Sequence, residues 1–419
     1  MSTPISLPHA LWRGKYAIAA AITQTYGIPI DYALLAHLRQ VSPRIRRKLI
    51  DDIDRDYGVF EDGHFRTVKF AAYLHREGIH NWPRLKSGAL KLDDDTFKEM
   101  AVAHPQLAAL RQLRQALVQL REIKVTVGND ARNRVASFPF ASVTGRSQPS
   151  TSKNIFGVAS WLRPLILPPP GWAVAYLDWC QQELQTVAKL SGDQAMMAAC
   201  RSGDFYLAFA IQAGAAPVGA TKVSHGEIRE RFKQCALGVL YGMGETGLAS
   251  RLGISVIEAR QLLDAHRRSF PDFWRWSDAT VDRALLIGSL ETVFGWTLHV
   301  GKEPNVRRLR NYLAQANAAE MMRLAHIKLL GQGIRVIATV HDAFLIEAPI
   351  SEIDAAVKTA QDVMTESSEI ILDGFAIPSE AKIACYPERF HDGKGIDMWN
   401  RIMKLVDRPD AVIRTGENQ

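Results

Sequence analysis

The chain has 419 residues, 47% of them hydrophobic and 23% charged, and a formal net charge of +7, enough length for two or three domains with real cores. No apolar run reaches the roughly 18 residues that span a bilayer. The N-terminal residues lack the regions of a signal peptide, and the four cysteines form neither a CxxC pair nor a zinc spacing, which argues for a cytoplasmic protein with reduced thiols and no membrane partner. A modest basic excess is compatible with a polyanionic partner without establishing one.

Residues 1–135 read as mostly helical. Leu107, Leu110, Leu113, Leu117 and Leu120 recur every three or four positions and predict an amphipathic helix over 107–124, with Arg111, Arg114, Arg121 and Lys124 largely off its apolar stripe. A second basic cluster, Arg44, Arg46, Arg47 and Lys48, lies in another predicted helix. Both clusters fit a solvated face, and both fit a grip on a phosphate backbone. Between them, Ser87-Gly88 flanked by short extended runs predicts a small hairpin, followed by an acidic helix start.

The texture changes near residue 136. A polar loop (144–154) and the rigid LPPPG break (167–171) precede an apolar strand that runs into Asp178, then a helix ending in Ser-Gly-Asp. Residues 224–300 are helical and end in a predicted hairpin, 288–300. A helix over 306–330 leads to the strand RVIATV, and His341-Asp342 turns the chain into the strand AFLIEAP. Each aspartate alone suits a turn or a helix start. Together, at the ends of two strands that could be sheet neighbours, they suit a shared magnesium site completed by waters and substrate phosphates.

Two helices carry polar stripes. Arg229, Lys233, Leu237 and Tyr241 are four apart, so they share one helix face about 18 Å long at 1.5 Å per residue. Cations at one end and an aromatic ring at the other fit a nucleoside triphosphate; an ordinary amphipathic surface helix fits as well. Arg307, Asn311 and Gln315 also share a face and could read the acceptors that every base pair presents in the minor groove, or be a plain polar face.

The order of these motifs resembles that of the family-A DNA polymerases. The family's D-Y-S-Q-I-E-L-R is Asp178-Trp-Cys-Gln-Gln-Glu183-Leu-Gln185 here, followed by KLSGD. Its R-x3-K-x7-Y-G is matched by Arg229, Lys233, Tyr241 and Gly242, and its V-H-D-E by Val340-His341-Asp342-Ala343. TGR at 144–146, ETVFG at 291–295, the Arg307 helix and the 81–97 hairpin region fall in the same order, so the resemblance covers nearly the whole chain.

The resemblance implies an α+β right-hand polymerase fold: a helical thumb-like region (1–135), an antiparallel-sheet palm in two parts (136–210 and 301–419) and helical fingers (211–300). It implies a template-directed DNA polymerase that extends a primer 3′-hydroxyl with deoxynucleoside triphosphates, working as a monomer on primer-template DNA with two magnesium ions, for which manganese can substitute. Asp178 and Asp342 would ligate the metals, helped by the Trp179 carbonyl. Arg229 and Lys233 would hold the triphosphate, with Lys233 as proton donor to pyrophosphate. Glu183 would be the gate against a ribose 2′-hydroxyl, bonded to Tyr241. Gln181, Leu237 and His341 would contact the nucleotide or primer terminus, and Arg146, Arg307, Asn311 and Gln315 the minor groove.

Several positions depart from the family pattern. Leu237 stands where Phe or Tyr is usual, Ala236 replaces Asn, Ala343 replaces the carboxylate after the second aspartate, Gln185 replaces Arg and Trp179 replaces Tyr. These changes imply unusual nucleotide selection or modest efficiency. YGIPIDYALL (26–35) resembles the join that follows a proofreading domain, so the expectation is a polymerase unit without exonuclease. Two alternatives stay open: a weak or inactive primer-template binding protein, and a single-subunit RNA polymerase-like enzyme, against which Glu183 argues.

Overall fold

A computed structural model describes residues 6–121, 123–150 and 153–406. The chain divides into two compact units. One gathers Met1–Gly27, Ala136–Pro149 and Gly171–Ala384; the other gathers Ile28–Val135, Ser150–Pro170 and Cys385–Gln419. The helix Leu7–Tyr26 (α1) thus belongs with the sheet-containing unit.

The first unit is built on a four-stranded sheet of β1 (Trp172–Trp179), β2 (Val336–Val340), β3 (Ala343–Pro349) and β4 (Ser379–Cys385), in the order β2-β3-β1-β4. The two central strands, WAVAYLDW and AFLIEAP, are near-continuous apolar runs, not alternating ones, as befits strands covered on both faces. Ala173 to Ala175, Leu177 and Ala343 to Ile346 are all inaccessible to solvent. β1 and β3 pair antiparallel from Pro349↔Trp172 to Ala343↔Asp178.

Ten helices, taken in chain order, matter for the site in this unit: α1, α2 (Gln182–Ser191), α3 (Gln194–Arg201), α4 (Phe205–Gln212), α5 (Gly226–Leu240), α6 (Glu245–Leu252), α7 (Val256–Ser269), α8 (Pro271–Ile287), α9 (Val306–Gly331) and α10 (Ile353–Ile371). α9 packs against α1, α2, α8 and α10, and α10 lies on β1. The predicted hairpin forms as Ser289–Glu291 with Thr297–His299.

The Asp of the Ser-Gly-Asp turn does more than end a loop. Asp193, 1% exposed, caps α3 by accepting from the Met196 N–H at 2.9 Å. Its other oxygen accepts from the Asp272 and Phe273 N–H groups at the start of α8, both at 3.1 Å. One carboxylate therefore satisfies orphan donors at two helix N-termini and complements both helix dipoles.

The second unit has its own core, in which Phe70, Tyr73, Trp82, Phe97, Leu107 and Leu110 are buried together. The leucine stripe forms the helix Ala108–Arg121, preceded by a short turn at Pro105–Leu107. Arg111 and Arg114 are engaged within the unit, and the Arg121 side chain lies outside the described residues. Arg111 pairs with Asp94 at 3.0 Å. Arg114 donates to the Leu92 carbonyl at 2.7 Å and lies over the rings of Phe65 and Phe97. In the other cluster, Arg46 donates to the Leu117 carbonyl at 3.1 Å. The expected small hairpin appears as an Arg84↔Leu90 bridge, and Asp93 caps the helix Asp94–Ala103. No described helix is long and apolar enough to cross a membrane.

Candidate active site

The two aspartates meet at one end of the sheet. Asp178 is the penultimate residue of β1 and lies opposite Ala343, the first residue of β3. His341 and Asp342 form the turn between β2 and β3, with His341 in the left-handed region at φ 56°. Burial first, and acidic neighbours second, make both carboxyls hard to ionise. Burial, then the charges of Asp342 and of Glu380 on β4, push the Asp178 carboxyl up to about 7. Burial also raises Asp342, opposed by Arg146 and His341. Carboxylates this costly to ionise favour a counter-cation.

Asp178 Oδ1 is buried and has no hydrogen-bond partner among the described residues, an oxygen with a lone pair left for something the protein does not supply. Among the described residues no group of three or more His, Cys, Asp or Glu side chains stands ready to cage a metal. That combination fits magnesium, a hard cation that takes one or two carboxylates and keeps oxygen ligands from water and phosphates.

Glu380 was not foreseen as part of this site. β4 follows α10 in the chain, and nothing in SEAKIAC marks it as a neighbour of Asp178. The Cys180 N–H donates to the Pro378 carbonyl at 2.9 Å, which ties the end of β1 to the start of β4. The Cys180 thiol, pushed up to about 11 by burial and by the Glu380 and Asp178 charges, donates to the Glu380 carboxylate. Gln185, at the position where the family pattern has Arg, turns its amide back to the Cys180 carbonyl at 2.6 Å and braces the same turn.

Next to the aspartates, Arg146, Gln181, Glu183, Leu237, Tyr241, His341 and Asp342 line a cleft of about 300 Å³. Gln181 takes a left-handed conformation, φ 51°, just before α2, and this turn brings Glu183 into the first turn of the helix. Glu183 is held from both sides: Arg146 Nη2 donates to Oε1 at 2.8 Å and the Tyr241 hydroxyl donates to Oε2 at 3.0 Å. Tyr241, at the C-terminus of α5, is raised to about 12 by burial and then by the Glu183 charge, so it stays a donor at neutral pH. The Glu183–Tyr241 bond expected from the resemblance is present; its Arg146 counterpart was not anticipated.

The cationic end of the α5 stripe is engaged elsewhere. Arg229 Nε pairs with Asp204 Oδ2 at 2.5 Å and its guanidinium lies 5.2 Å from the Tyr206 ring centroid. Lys233 pairs with Glu230 at 3.5 Å. The helical stripe is real, but only its Leu237 and Tyr241 end lines the cleft. Trp179 is buried, its indole N–H donating to the Met364 carbonyl at 3.3 Å. On α9 the three polar residues differ in setting: Arg307 is exposed, Gln315 half-buried and Asn311 buried. Asn311 Oδ1 has no hydrogen-bond partner among the described residues. Gly242, at φ 64°, brings α5 close to α9, since a Cβ there would lie 3.0 Å from Arg307 Cγ.

A sheet end bearing two aspartates, beside a helix with a clamped glutamate, is the arrangement that the family resemblance implies, and comparison with known proteins shows the family. Residues 74–386 match the profile of DNA polymerase family A; the chain belongs to that family. It is 28% identical over 374 residues to DNA polymerase I of Chloroflexus aurantiacus, an alignment covering 81% of this chain and 39% of that protein. It is 30% identical over 305 residues to the thermostable DNA polymerase I of Thermus aquaticus, covering 67% of this chain and 36% of the relative. The chain therefore spans well under half the length of these relatives. The POL domain of Pol1 from M. smegmatis, solved in complex with DNA primer-template and dNTP, shares the fold with a TM-score of 0.73 at 22% identity, covering 88% of this chain and 68% of that one.

Proposed function

We propose that the chain is a DNA-directed DNA polymerase that extends a primer 3′-hydroxyl on a template with deoxynucleoside triphosphates. The four-stranded sheet would belong to the palm (136–210 and 301–419), α5 to α8 to the fingers (211–300), and the helices of the second unit within residues 1–135 to the thumb-like region. The observation that carries the reading is the end of the β1–β3 ladder. There a buried, unpartnered Asp178 oxygen lies next to Asp342, which lines the cleft together with Glu183.

Asp178 and Asp342 would hold the divalent cations, with the Trp179 carbonyl as a further oxygen donor. Bound there, the cations would activate the primer hydroxyl and neutralise charge on the departing pyrophosphate. Glu183, fixed by Arg146 and Tyr241, fills the space a 2′-hydroxyl needs, which favours deoxynucleotides over ribonucleotides. Lys233 exchanges its exposed pairing with Glu230 for the triphosphate at little cost, since such surface pairs contribute about 0–1 kcal/mol, and is the proton donor to pyrophosphate. Arg229 binds the same phosphates by leaving or sharing Asp204. Gln181 and His341 flank the nucleotide and primer end, and Leu237 offers a flexible aliphatic contact under the sugar in place of a ring. Arg146, Arg307, Asn311 and Gln315 contact the duplex minor groove, where donors test pairing geometry without reading sequence.

Primer extension on a defined template, with magnesium or manganese and with deoxy- or ribonucleotides, tests this reading. Template-directed extension with preference for deoxynucleotides is expected. Tight primer-template binding with no extension under either metal would make the chain a binding protein instead.

A further inference from the structure

We propose that Arg323 is a positioning residue for nucleotide selection, holding the Thr144-Gly145-Arg146 turn so that Arg146 meets Glu183. The inference rests on the polymerase reading above.

Arg323 lies deep in α9, within the stretch AEMMRLA, apolar apart from it and Glu320, and its side chain is 2% exposed. Glu320, one turn earlier and 3% exposed, pairs with it at 2.8 Å. A buried ion pair seldom stabilises a fold more than an apolar pair of similar volume would, because both charges lose their water. Its retention in a core is better explained by the geometry it imposes, and here that geometry is specific.

Arg323 Nη1 donates to the Gly145 carbonyl at 2.6 Å, and the guanidinium lies within 5.8 Å of the ring centroids of Trp12, Phe140 and Trp296. Gly145 has φ 74°, and a Cβ there would come within 2.8 Å of Arg323 Nη1 and 2.9 Å of the Trp296 ring. The backbone of the turn is thus pressed against the guanidinium, at a place only glycine can occupy. The turn itself is closed by Gly145 N–H to the Ser142 carbonyl at 2.9 Å and by Arg146 N–H to Ser142 Oγ at 2.8 Å.

Glu320 anchors the second loop in the same way. It accepts from Thr292 Oγ1 at 2.8 Å, and Thr292 Oγ1 accepts from the Trp296 N–H at 2.9 Å. The Trp296 indole N–H then donates to the Val143 carbonyl at 2.9 Å, so the pair reaches the 142–146 turn by two routes. The residue that leaves this turn is Arg146, whose guanidinium reaches Glu183 at 2.8 Å. Arg323 does not line the cleft; it acts on the gate through Arg146.

The test is a double-mutant cycle in the full chain: Arg323→Lys, and separately Trp296→Phe, each in the wild-type and Arg146→Ala backgrounds. Trp296→Phe keeps an aromatic side chain, removes the bond to Val143 together with half of the indole, and covers the case in which the arginine variant folds poorly. Single-nucleotide incorporation is measured with deoxy- and ribonucleotides, alongside thermal unfolding. In the wild-type background the dNTP KM should rise roughly tenfold and the deoxy-to-ribo ratio should fall, as expected for loss of a charge-assisted tether. In the Arg146→Ala background the same changes should add less than about twofold, the mark of residues acting in one chain. A lower melting temperature with unchanged KM and ratio, or equal losses in both backgrounds, would overturn the proposal. Failure of the wild-type chain to extend any primer would instead refute the polymerase reading, and this inference with it.

Discussion

Asp178 stands opposite Ala343 in the β1–β3 ladder, so that the next carboxylate along the chain, Asp342, falls in the turn just beyond the pair. The acidic neighbour on the other flank of Asp178 is Glu380 of β4, close enough for its charge to raise the Asp178 carboxyl. Where the family pattern has a carboxylate at the start of β3, this chain has a methyl group, and an acidic side chain sits on the opposite side instead.

The crowding has a sign that can be measured. A carboxyl raised from 3.8 to about 7 is protonated in the folded state and ionised in the unfolded state between those values. Its contribution to stability is therefore fully present below about 3.8 and lost as pH rises through 7. In chelator, Asp178→Asn should be more stable than wild type at pH 8, by up to about 4 kcal/mol, and the difference should shrink toward pH 4. Magnesium should raise the melting temperature of wild type and not of the variant. Equal melting of the two proteins at pH 8 in chelator would show that Asp178 carries no electrostatic strain.

Glu380 should contribute to that strain. Glu380→Gln should lower the Asp178 pKa and so shift the pH at which magnesium stabilises the protein to a lower value, because the site must lose its proton to bind. Melting curves with and without magnesium across pH 5.5 to 8.5 read this directly; an unmoved pH midpoint would remove Glu380 from the site.

Replacing the clamped glutamate separates gate from scaffold. Glu183→Ala leaves both Arg146 and Tyr241 without their acceptor and opens space beside the sugar. Ribonucleotide incorporation relative to deoxynucleotide should increase by on the order of 10- to 100-fold, the range over which pocket shape discriminates small groups. Competition assays with paired nucleotides measure the ratio, and an unchanged ratio would assign sugar selection elsewhere, with Leu237 the next residue to replace.

Asp193→Ala removes caps from α3 and α8 together. Each cap is worth roughly 1 kcal/mol, and leaving buried N–H groups unpaired adds to the loss, so urea unfolding should show a loss of about 2–4 kcal/mol. Asp193→Asn, which can still accept hydrogen bonds, should recover part of it. A loss below about 1 kcal/mol would mean that water or another side chain replaces the caps.

The parts of this site that were legible in sequence are those carried by local pattern. Two apolar runs ending in aspartate predicted strands that could be neighbours, and the ladder joins them. The four-residue spacing of Arg229, Lys233, Leu237 and Tyr241 predicted one helical stripe, and α5 supplies it. Pairings made across the fold were not legible. Asp204 engages Arg229 from another helix, with no sequence feature that names its partner, whereas Glu230, three residues before Lys233 on the same helix, is a local pair that helix spacing does show. The arginines of the leucine helix read equally as solvated or phosphate-binding, whereas Arg111 and Arg114 are tied to Asp94 and to two aromatic rings. Glu380 reaches the site only through the placement of β4 beside β1. Arg323 and Glu320 did leave a signal, two opposite charges one turn apart in an apolar helix window, which marks a buried pair without saying what it holds.

Single-turnover primer extension by Asp178→Asn and Asp342→Asn tests most directly whether these two aspartates perform metal-dependent nucleotidyl transfer. With primer-template affinity measured in parallel by fluorescence anisotropy, each variant should bind DNA within about threefold of wild type and lose extension by at least roughly a thousandfold, the scale of removing one essential charge-stabilising group. Extension at near wild-type rate by either variant would contradict the assignment.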